Sequence, residues 1–168
     1  MKMAKVVSRR MILLGTGLLV AALAPGVDAQ QLPKRGSFTG IFGWHFPADG
    51  MMQVEKDHLM WGGVSYGAFR NDAGSGFLHQ TGTRCTAVGE FKDGKVIRNR
   101  GECINTDSDG DRTFLTWQCT KCPDGEFTFT GGTGKYKGLK GRGTYREISS
   151  AELGLGWSHW TGEWELPE

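Results

Sequence analysis

Long apolar runs and helical periodicity are both missing from most of this sequence. The longest uncharged apolar stretch, from Met11 to Pro25, has 15 residues, whereas a helix that spans a bilayer needs roughly twenty. Between Gly36 and Ser149, no segment of ten residues repeats its apolar residues with the period of an amphipathic helix. The first absence argues against a stable membrane anchor, and the second indicates an all-β domain.

The chain also has little net charge once its N-terminus is set aside. Of the 20 Lys and Arg residues, four lie in residues 1–29, and of the 18 Asp and Glu residues only Asp28 does. This leaves 16 basic and 17 acidic residues, a net charge of −1. The basic balance of the whole chain belongs to its N-terminus, so nothing in the remainder indicates a nucleic acid or an anionic membrane as a partner.

The N-terminus has the pattern of a bacterial export signal. A basic segment ending in Arg9 and Arg10 precedes the apolar stretch, and Val27 and Ala29 are the small residues that a signal peptidase reads. The sequence predicts a signal peptide at residues 1–29, cleaved after Ala29, and a periplasmic or secreted protein. The arginine pair fits both the twin-arginine and the general secretion route. The polar segment 30–36 predicts a disordered leader.

Four cysteines in an exported chain are expected to form disulfides. A three-residue hairpin loop at residues 93–95 would place Lys92 opposite Val96 and, in the same register, Cys85 opposite Cys103. Both sulfurs would then lie on one face, within bridging distance in a non-hydrogen-bonded pair. The register therefore predicts a disulfide between Cys85 and Cys103.

The remaining two cysteines, Cys119 and Cys122, form a C-x-x-C pair. A redox cysteine of this kind normally stands at a helix N-terminus, and zinc usually requires a second pair or nearby histidines. Here the pair ends a predicted strand and runs into a Pro-Asp-Gly turn. A local structural disulfide is favoured, with a redox site and a metal pair as open alternatives.

Three carboxylates alternate at Asp107, Asp109 and Asp111, which is how a calcium-binding loop begins. Two later positions do not fit, because Arg112 replaces the required glycine and Gln118 replaces the bidentate glutamate. The segment is interpreted as a solvated hairpin loop, and we expect neither a metal nor a cofactor.

Glycine is concentrated between Gly131 and Tyr145, where it occupies six of fifteen positions. This density predicts a tight corner between two strands. A phosphate-binding loop is excluded, because Phe129 stands in place of its first glycine and Tyr136 in place of its serine or threonine. The segment resembles the G-T-G-x-[FY]-x-G-x-x-G segment of the allene oxide cyclase-like and dirigent-like barrels.

That resemblance implies a calycin-like barrel of about eight antiparallel strands. In plants, members of these families cyclise a fatty-acid epoxide or guide phenoxy-radical coupling. No position of this chain matches the plant enzymes' catalytic residues, so the resemblance implies the fold and not the activity.

The alternation of apolar residues predicts the same architecture. Aromatic residues alternate along one face from Phe38 to Phe46, and later segments repeat the period of two. Further strands are predicted at 51–61, 63–70, 77–91, 113–119, 126–130 and 141–148, with a closing strand around residues 160–166. Eight or nine strands in sequence predict a single antiparallel up-and-down barrel over residues 37–168.

A barrel of this size has room for one small ligand. Six aromatic residues that combine a ring with a polar atom are predicted to line the interior: Trp44, Tyr66, Trp117, Tyr145, Trp160 and Trp164. The favoured function is non-catalytic binding of an apolar or aromatic molecule. A barrel with a filled interior that acts through protein interactions is an alternative, and the sequence does not indicate the oligomeric state.

A catalytic alternative requires an acid and a base. Asp72 and His79 flank a glycine-rich loop at a predicted barrel mouth, where a carboxylate can orient an imidazole for proton transfer. They are the candidate catalytic residues of an isomerase or cyclase, and His58 and Glu90 are further candidates. The remaining histidines adjoin tryptophans and are interpreted as structural.

Overall fold

The structure is a computed structural model that describes residues 32–150 and 154–168. The predicted signal peptide lies outside the described residues. The first strand begins at Arg35, so the last two residues of the predicted leader already belong to the sheet. In the described ranges, no helix is long and apolar enough to cross a membrane.

Strands make up most of the described chain. They are Arg35–His45 (β1), Met51–Glu55 (β2), His58–Asn71 (β3), Thr81–Lys92 (β4), Lys95–Thr106 (β5), Arg112–Lys121 (β6), Asp124–Gly132 (β7), Lys140–Ser149 (β8) and Leu155–Glu165 (β9). Two 3-10 helices of three residues each occupy Ala48–Gly50 and Gly134–Tyr136.

Eight of these strands close into an antiparallel barrel. Strands adjacent in the chain pair from β3 through β9, and β9 pairs with β1. The ring is completed by β1 and β3, which pair from Gly40 opposite Asn71 to His45 opposite Tyr66. Strand β2 lies outside the ring and pairs with one edge of β3 in antiparallel orientation. The prediction of a single up-and-down barrel of about eight strands is confirmed.

Alternation along the strands places the large apolar side chains inside the barrel. In β1 the predicted aromatic face points inward, and Phe38 is 4% exposed. The same alternation turns one face of β6, β7 and β9 inward, with Leu115 and Phe127 each 2% exposed and Trp160 7% exposed. Each such side chain contributes about 2–3 kcal/mol through removal from water.

Two strand boundaries differ from the prediction. Asp57 has a φ of 61° and ends a short turn, so the predicted strand 51–61 is a hairpin and Trp61 belongs to β3. The predicted strand 77–91 starts only at Thr81, because Leu78 and Gln80 have φ values of 60° and 56°. These left-handed residues turn the chain and cannot continue an extended strand.

The β4–β5 hairpin has a shorter loop than predicted. Lys92 pairs with Lys95, which leaves a two-residue loop of Asp93 and Gly94, with φ values of 50° and 70°. Positive φ at both positions is typical of a type I′ turn. The register then shifts by one residue at a bulge beside Glu90, so the strand pairing beyond the bulge is the predicted one.

The two ends of the barrel differ. The loops after β3, β5 and β7 gather at one end, which we call the packed end, because side chains fill it. There Phe77 stacks on Trp164 with ring centroids 4.5 Å apart, and Leu78 and Leu139 are 2% and 1% exposed. The loops after β1, β4, β6 and β8 gather at the opposite end, which we call the cavity end.

Candidate functional site

The cavity end contains a cavity of about 580 Å³. Volumes of roughly 300–1,000 Å³ are typical of small-molecule sites. Because the packed end is filled and this end is not, the alternative of a barrel filled throughout does not describe the molecule.

Aromatic side chains form the outer part of the cavity wall. The ring of Phe46 lies 4.8 Å from that of Trp61 and 6.1 Å from that of Phe91, measured between centroids. The indole Nε1 of Trp61 donates a hydrogen bond to the carbonyl of Pro47 at 2.8 Å. This bond holds the tryptophan against the loop after β1 and leaves its ring face to the cavity.

A second aromatic group lies deeper. Tyr145 stacks on Trp160 with centroids 5.4 Å apart and an interplanar angle of 20°, and Trp117 meets the tyrosine ring edge-on at 6.2 Å. A Cβ atom at Gly125 would lie only 2.2 Å from the tyrosine ring. Glycine at this position therefore allows Tyr145 to occupy the wall.

A carboxyl group stands among these rings. Glu147, on β8, lines the cavity, and the side-chain amide of Asn99, on β5, donates to its two oxygens at 3.1 and 3.3 Å. The backbone N–H of Glu147 donates to the carbonyl of Pro123 at 2.9 Å. Burial raises the pKa of Glu147 to about 7, although the Asn99 hydrogen bond opposes the rise.

Three further polar atoms at the cavity are buried and have no hydrogen-bond partner within the described chain. They are Trp44 Nε1, Tyr145 Oη and Asn99 Oδ1. Burial, followed by the nearby carboxylates of Glu147 and Glu126, raises the pKa of Tyr145, so its hydroxyl stays protonated near neutral pH. A buried polar atom left unpaired costs about 1–3 kcal/mol. Two donors and an acceptor are therefore available to a molecule inside the barrel.

Four of the six predicted ligand-binding aromatics line the cavity: Trp44, Trp117, Tyr145 and Trp160. The other two do not line it. Tyr66 points outward and is 49% exposed, with the guanidinium of Arg84 6.0 Å from its ring. Trp164 is inside but forms part of the packed end. Tyr66 points outward because the inward residues of β3 are the odd-numbered ones, among them Trp61 and Phe69.

The structure does not bring Asp72 and His79 together. Both lie in the loop after β3, at the packed end, and neither lines the cavity. Asp72 accepts a hydrogen bond from the hydroxyl of Thr39 at 2.7 Å, whereas Nδ1 of His79 is buried without a partner. The glycine-rich loop that they flank is therefore not the mouth of the cavity.

The other candidate pair, His58 and Glu90, does interact. Nε2 of His58 lies 2.9 Å from a carboxylate oxygen of Glu90, and Arg98 contacts the other oxygen. Hydrogen bonds from Arg98 and His58 lower the pKa of Glu90. None of the three side chains lines the barrel cavity, so this group stabilises the β3–β4–β5 wall from outside.

Sequence reasoning missed Glu147 and Asn99. A usable signal was present, because Glu147 is two residues from inward-facing Tyr145 and Asn99 is four residues from Cys103. Period-two alternation places each polar residue on the inner face. The signal was a charged residue, Glu147, two positions after a tyrosine that faces the interior.

Both disulfides form as predicted. Cys85 is bonded to Cys103 and Cys119 to Cys122. Cys85 and Cys103 lie in the cavity wall. Two disulfides are consistent with an extracellular or periplasmic protein.

The acidic loop after β5 is not simply solvated. The ammonium of Lys135 lies 2.8 Å from Asp107, whose side chain is 7% exposed, and it also contacts Asp109. The backbone N–H of Lys135 donates to Asp111 at 3.1 Å. Within the described chain, no group of three or more His, Cys, Asp or Glu side chains is arranged to hold a metal ion. Through these contacts with Lys135, the acidic loop holds the glycine-rich corner in place at the packed end.

The comparison with solved structures agrees with this architecture. The pterocarpan synthase dirigent protein PsPTS1 is similar to this chain with a TM-score of 0.50 and 16% sequence identity, over 82% of this chain and 99% of that one. The pterocarpan synthase dirigent protein GePTS1 has a TM-score of 0.46 and 12% sequence identity to this chain, over 90% of this chain and 100% of that one. No protein-family model and no curated protein matches the chain. The likeness to PsPTS1 shows the fold alone, a β-barrel similar to that of this dirigent protein.

Proposed function

We propose that this protein binds a small, largely apolar molecule in the barrel cavity. The observation that carries the proposal is the set of unpaired polar atoms in a wall rich in aromatic rings: Trp44 Nε1, Tyr145 Oη and Asn99 Oδ1. A ligand with an apolar body and one or two polar atoms would bury the rings and satisfy these atoms together.

We place this binding outside the cytoplasm. A signal peptide at 1–29, followed by a short leader and one barrel domain whose first strand begins at Arg35, fits an exported one-domain protein. The two disulfides support this location, because they persist in oxidising compartments.

A probe titration tests the proposal. N-phenyl-1-naphthylamine, an uncharged fluorescent aromatic, is titrated into the oxidised protein and two variants of β3. Ser65 lines the cavity, so Ser65→Phe should occupy part of its volume and weaken binding at least about tenfold. Ala68 is exposed on the same strand, so Ala68→Phe is the matched control and should bind as the wild type does.

Two results would contradict the proposal. One is the absence of saturable probe binding to wild-type protein. The other is equal weakening by Ser65→Phe and Ala68→Phe, which would place the probe outside the barrel. Circular dichroism and thermal unfolding of both variants establish that they are folded.

A second candidate function is acid–base catalysis in the same cavity, by an isomerase or cyclase. Glu147 supports it, because a carboxyl with a pKa of about 7 can both donate and accept a proton near neutral pH. Glu147 then takes the role that the sequence suggested for Asp72 and His79.

Native mass spectrometry of protein purified without detergent would identify a bound molecule to test as a substrate. Its conversion by wild-type protein but not by Glu147→Gln would establish catalysis, and binding without conversion by either would favour the first function.

A further inference from the structure

We propose that the cavity selects a cationic ligand, an amine or ammonium group carried on an apolar, ring-containing body. This inference rests on the proposed function, because it requires the cavity to bind a ligand, and it adds the charge of that ligand.

The first argument is the charge of the cavity wall. Among the described residues that line the cavity, Glu147 and Lys95 carry charged groups. Lys95 is exposed at the β4–β5 turn. Among the described residues, the side-chain partner of the Glu147 carboxyl group is an amide, that of Asn99, and not a cation. A buried carboxylate without a cation is costly, so an ammonium group from outside would supply the missing charge.

The second argument is the chemistry of the rings. Eight aromatic side chains line the cavity. The carboxylate of Glu147 acts on the hydroxyl of Tyr145, and the ring of Tyr145 stacks on that of Trp160. The faces of tyrosine and tryptophan rings attract cations, by about 0.5–2 kcal/mol each depending on desolvation. Aromatic rings and one carboxylate together are suited to an alkylated or aromatic amine.

The third argument concerns the proton on Glu147. Without a cation its pKa is about 7, so the group is largely protonated in mildly acid solution. A bound ammonium would favour the ionised form, and binding would release a proton at pH 6. Among the described residues that line the cavity, Tyr145 and Lys95 are the other titratable groups. The side chains facing Glu147 from β1, β9 and the β6–β7 loop are uncharged: Trp44, Ser158 and Pro123.

Three probes of equal size separate these effects: 2-(1-naphthyl)ethylamine, 2-(1-naphthyl)ethanol and 1-naphthylacetate, which are cationic, neutral and anionic at pH 7.5. We expect the amine to bind on the order of tenfold more tightly than the alcohol, and the anion to bind most weakly. In Glu147→Gln the preference for the amine should become much smaller, because only the aromatic rings remain to attract the cation. Glu102→Gln, an exposed position on β5, is the control and should keep the preference.

Calorimetry of the amine at pH 6 in two buffers of different ionisation heat should show proton release, and the amine affinity should rise as the pH increases through 7. Equal affinities of amine and alcohol for wild-type protein would overturn this inference and leave the proposed function standing. A preference of undiminished size in folded Glu147→Gln would also overturn it. If none of the three probes binds, both the inference and the proposed function fail.

Discussion

The side-chain amide of Asn99 reaches across the barrel interior to Glu147, with its nitrogen 3.1 and 3.3 Å from the two carboxylate oxygens. These residues belong to β5 and β8, which are separated in the sheet by β6 and β7. The hydrogen bond therefore fixes the carboxyl group within the cavity and not at its rim. It leaves the amide oxygen of Asn99 free to accept from another molecule.

Glu147 should make stability depend on pH. Its pKa is about 7 in the folded protein against 4.5 in the unfolded chain, so folding favours the protonated form. This contribution is complete below about pH 4.5 and is lost as the pH rises through 7. The difference amounts to at most about 3 kcal/mol. Chemical denaturation between pH 4.5 and 8.5 should show the wild type losing stability relative to Glu147→Gln. Parallel curves for the two proteins would refute the buried-carboxyl assignment.

Removing the cross-strand disulfide should cost more than removing the local one. Cys85 and Cys103 are 18 residues apart, whereas Cys119 and Cys122 are three apart. Chain-entropy arguments give about 3 kcal/mol for the longer loop and about 2 for the shorter. Denaturation of the two double Cys→Ser variants measures the difference. Peptide mapping of the unmutated protein that joins Cys103 to Cys119 or Cys122 would show the pairing to be wrong.

Gly134 should not tolerate a side chain. Its φ is 50°, and an added Cβ would lie 1.7 Å from a carboxylate oxygen of Asp111. Gly134→Val should therefore lower the free energy of unfolding by about 2–4 kcal/mol. Gly82 has open space around it and no positive φ, so Gly82→Val is the control and should change stability little. Equal thermal unfolding of both variants would contradict this account of the corner.

Lys135 should stabilise the packed end through its ion pairs with the acidic loop. Lys135→Met keeps the length of the side chain but leaves Asp107 nearly buried without its cation. We expect a loss of about 1–2 kcal/mol in the free energy of unfolding. Lys137→Met changes an exposed neighbour and should have no effect. A loss of the same size in both variants would show that the ion pairs do not matter.

The architecture could be predicted because it depends on patterns that sequence displays directly. The alternation of apolar residues along the strands identified inner faces, and the register of the β4–β5 hairpin predicted the disulfide between Cys85 and Cys103. That pair was predicted correctly although the predicted loop was one residue too long. The bulge beside Glu90 shifts the register by one residue, and this shift compensates for the shorter, two-residue turn. Turn length and bulges depend on single backbone conformations, and the sequence does not distinguish them reliably.

The candidate site was predicted less completely. The rings of Trp44, Trp117, Tyr145 and Trp160 were expected inside and line the cavity. Which end of the barrel stays open was not predictable, because it depends on how Phe77 and Leu78 fold back over the interior. This is why Asp72 and His79 were expected at a mouth that is in fact packed.

The most direct test of a ligand-binding cavity is the indole N–H resonance of Trp44, followed by ¹⁵N-edited NMR while 2-(1-naphthyl)ethanol is added. Nε1 of Trp44 is a buried donor without a partner among the described residues, whereas Trp164 lies in the packed end and Trp157 is 41% exposed on the outer face. The account predicts a saturable shift of the Trp44 signal, with the signals of Trp164 and Trp157 unchanged. A Trp44 signal that stays in place while the alcohol binds, or a shift confined to Trp157, would contradict it.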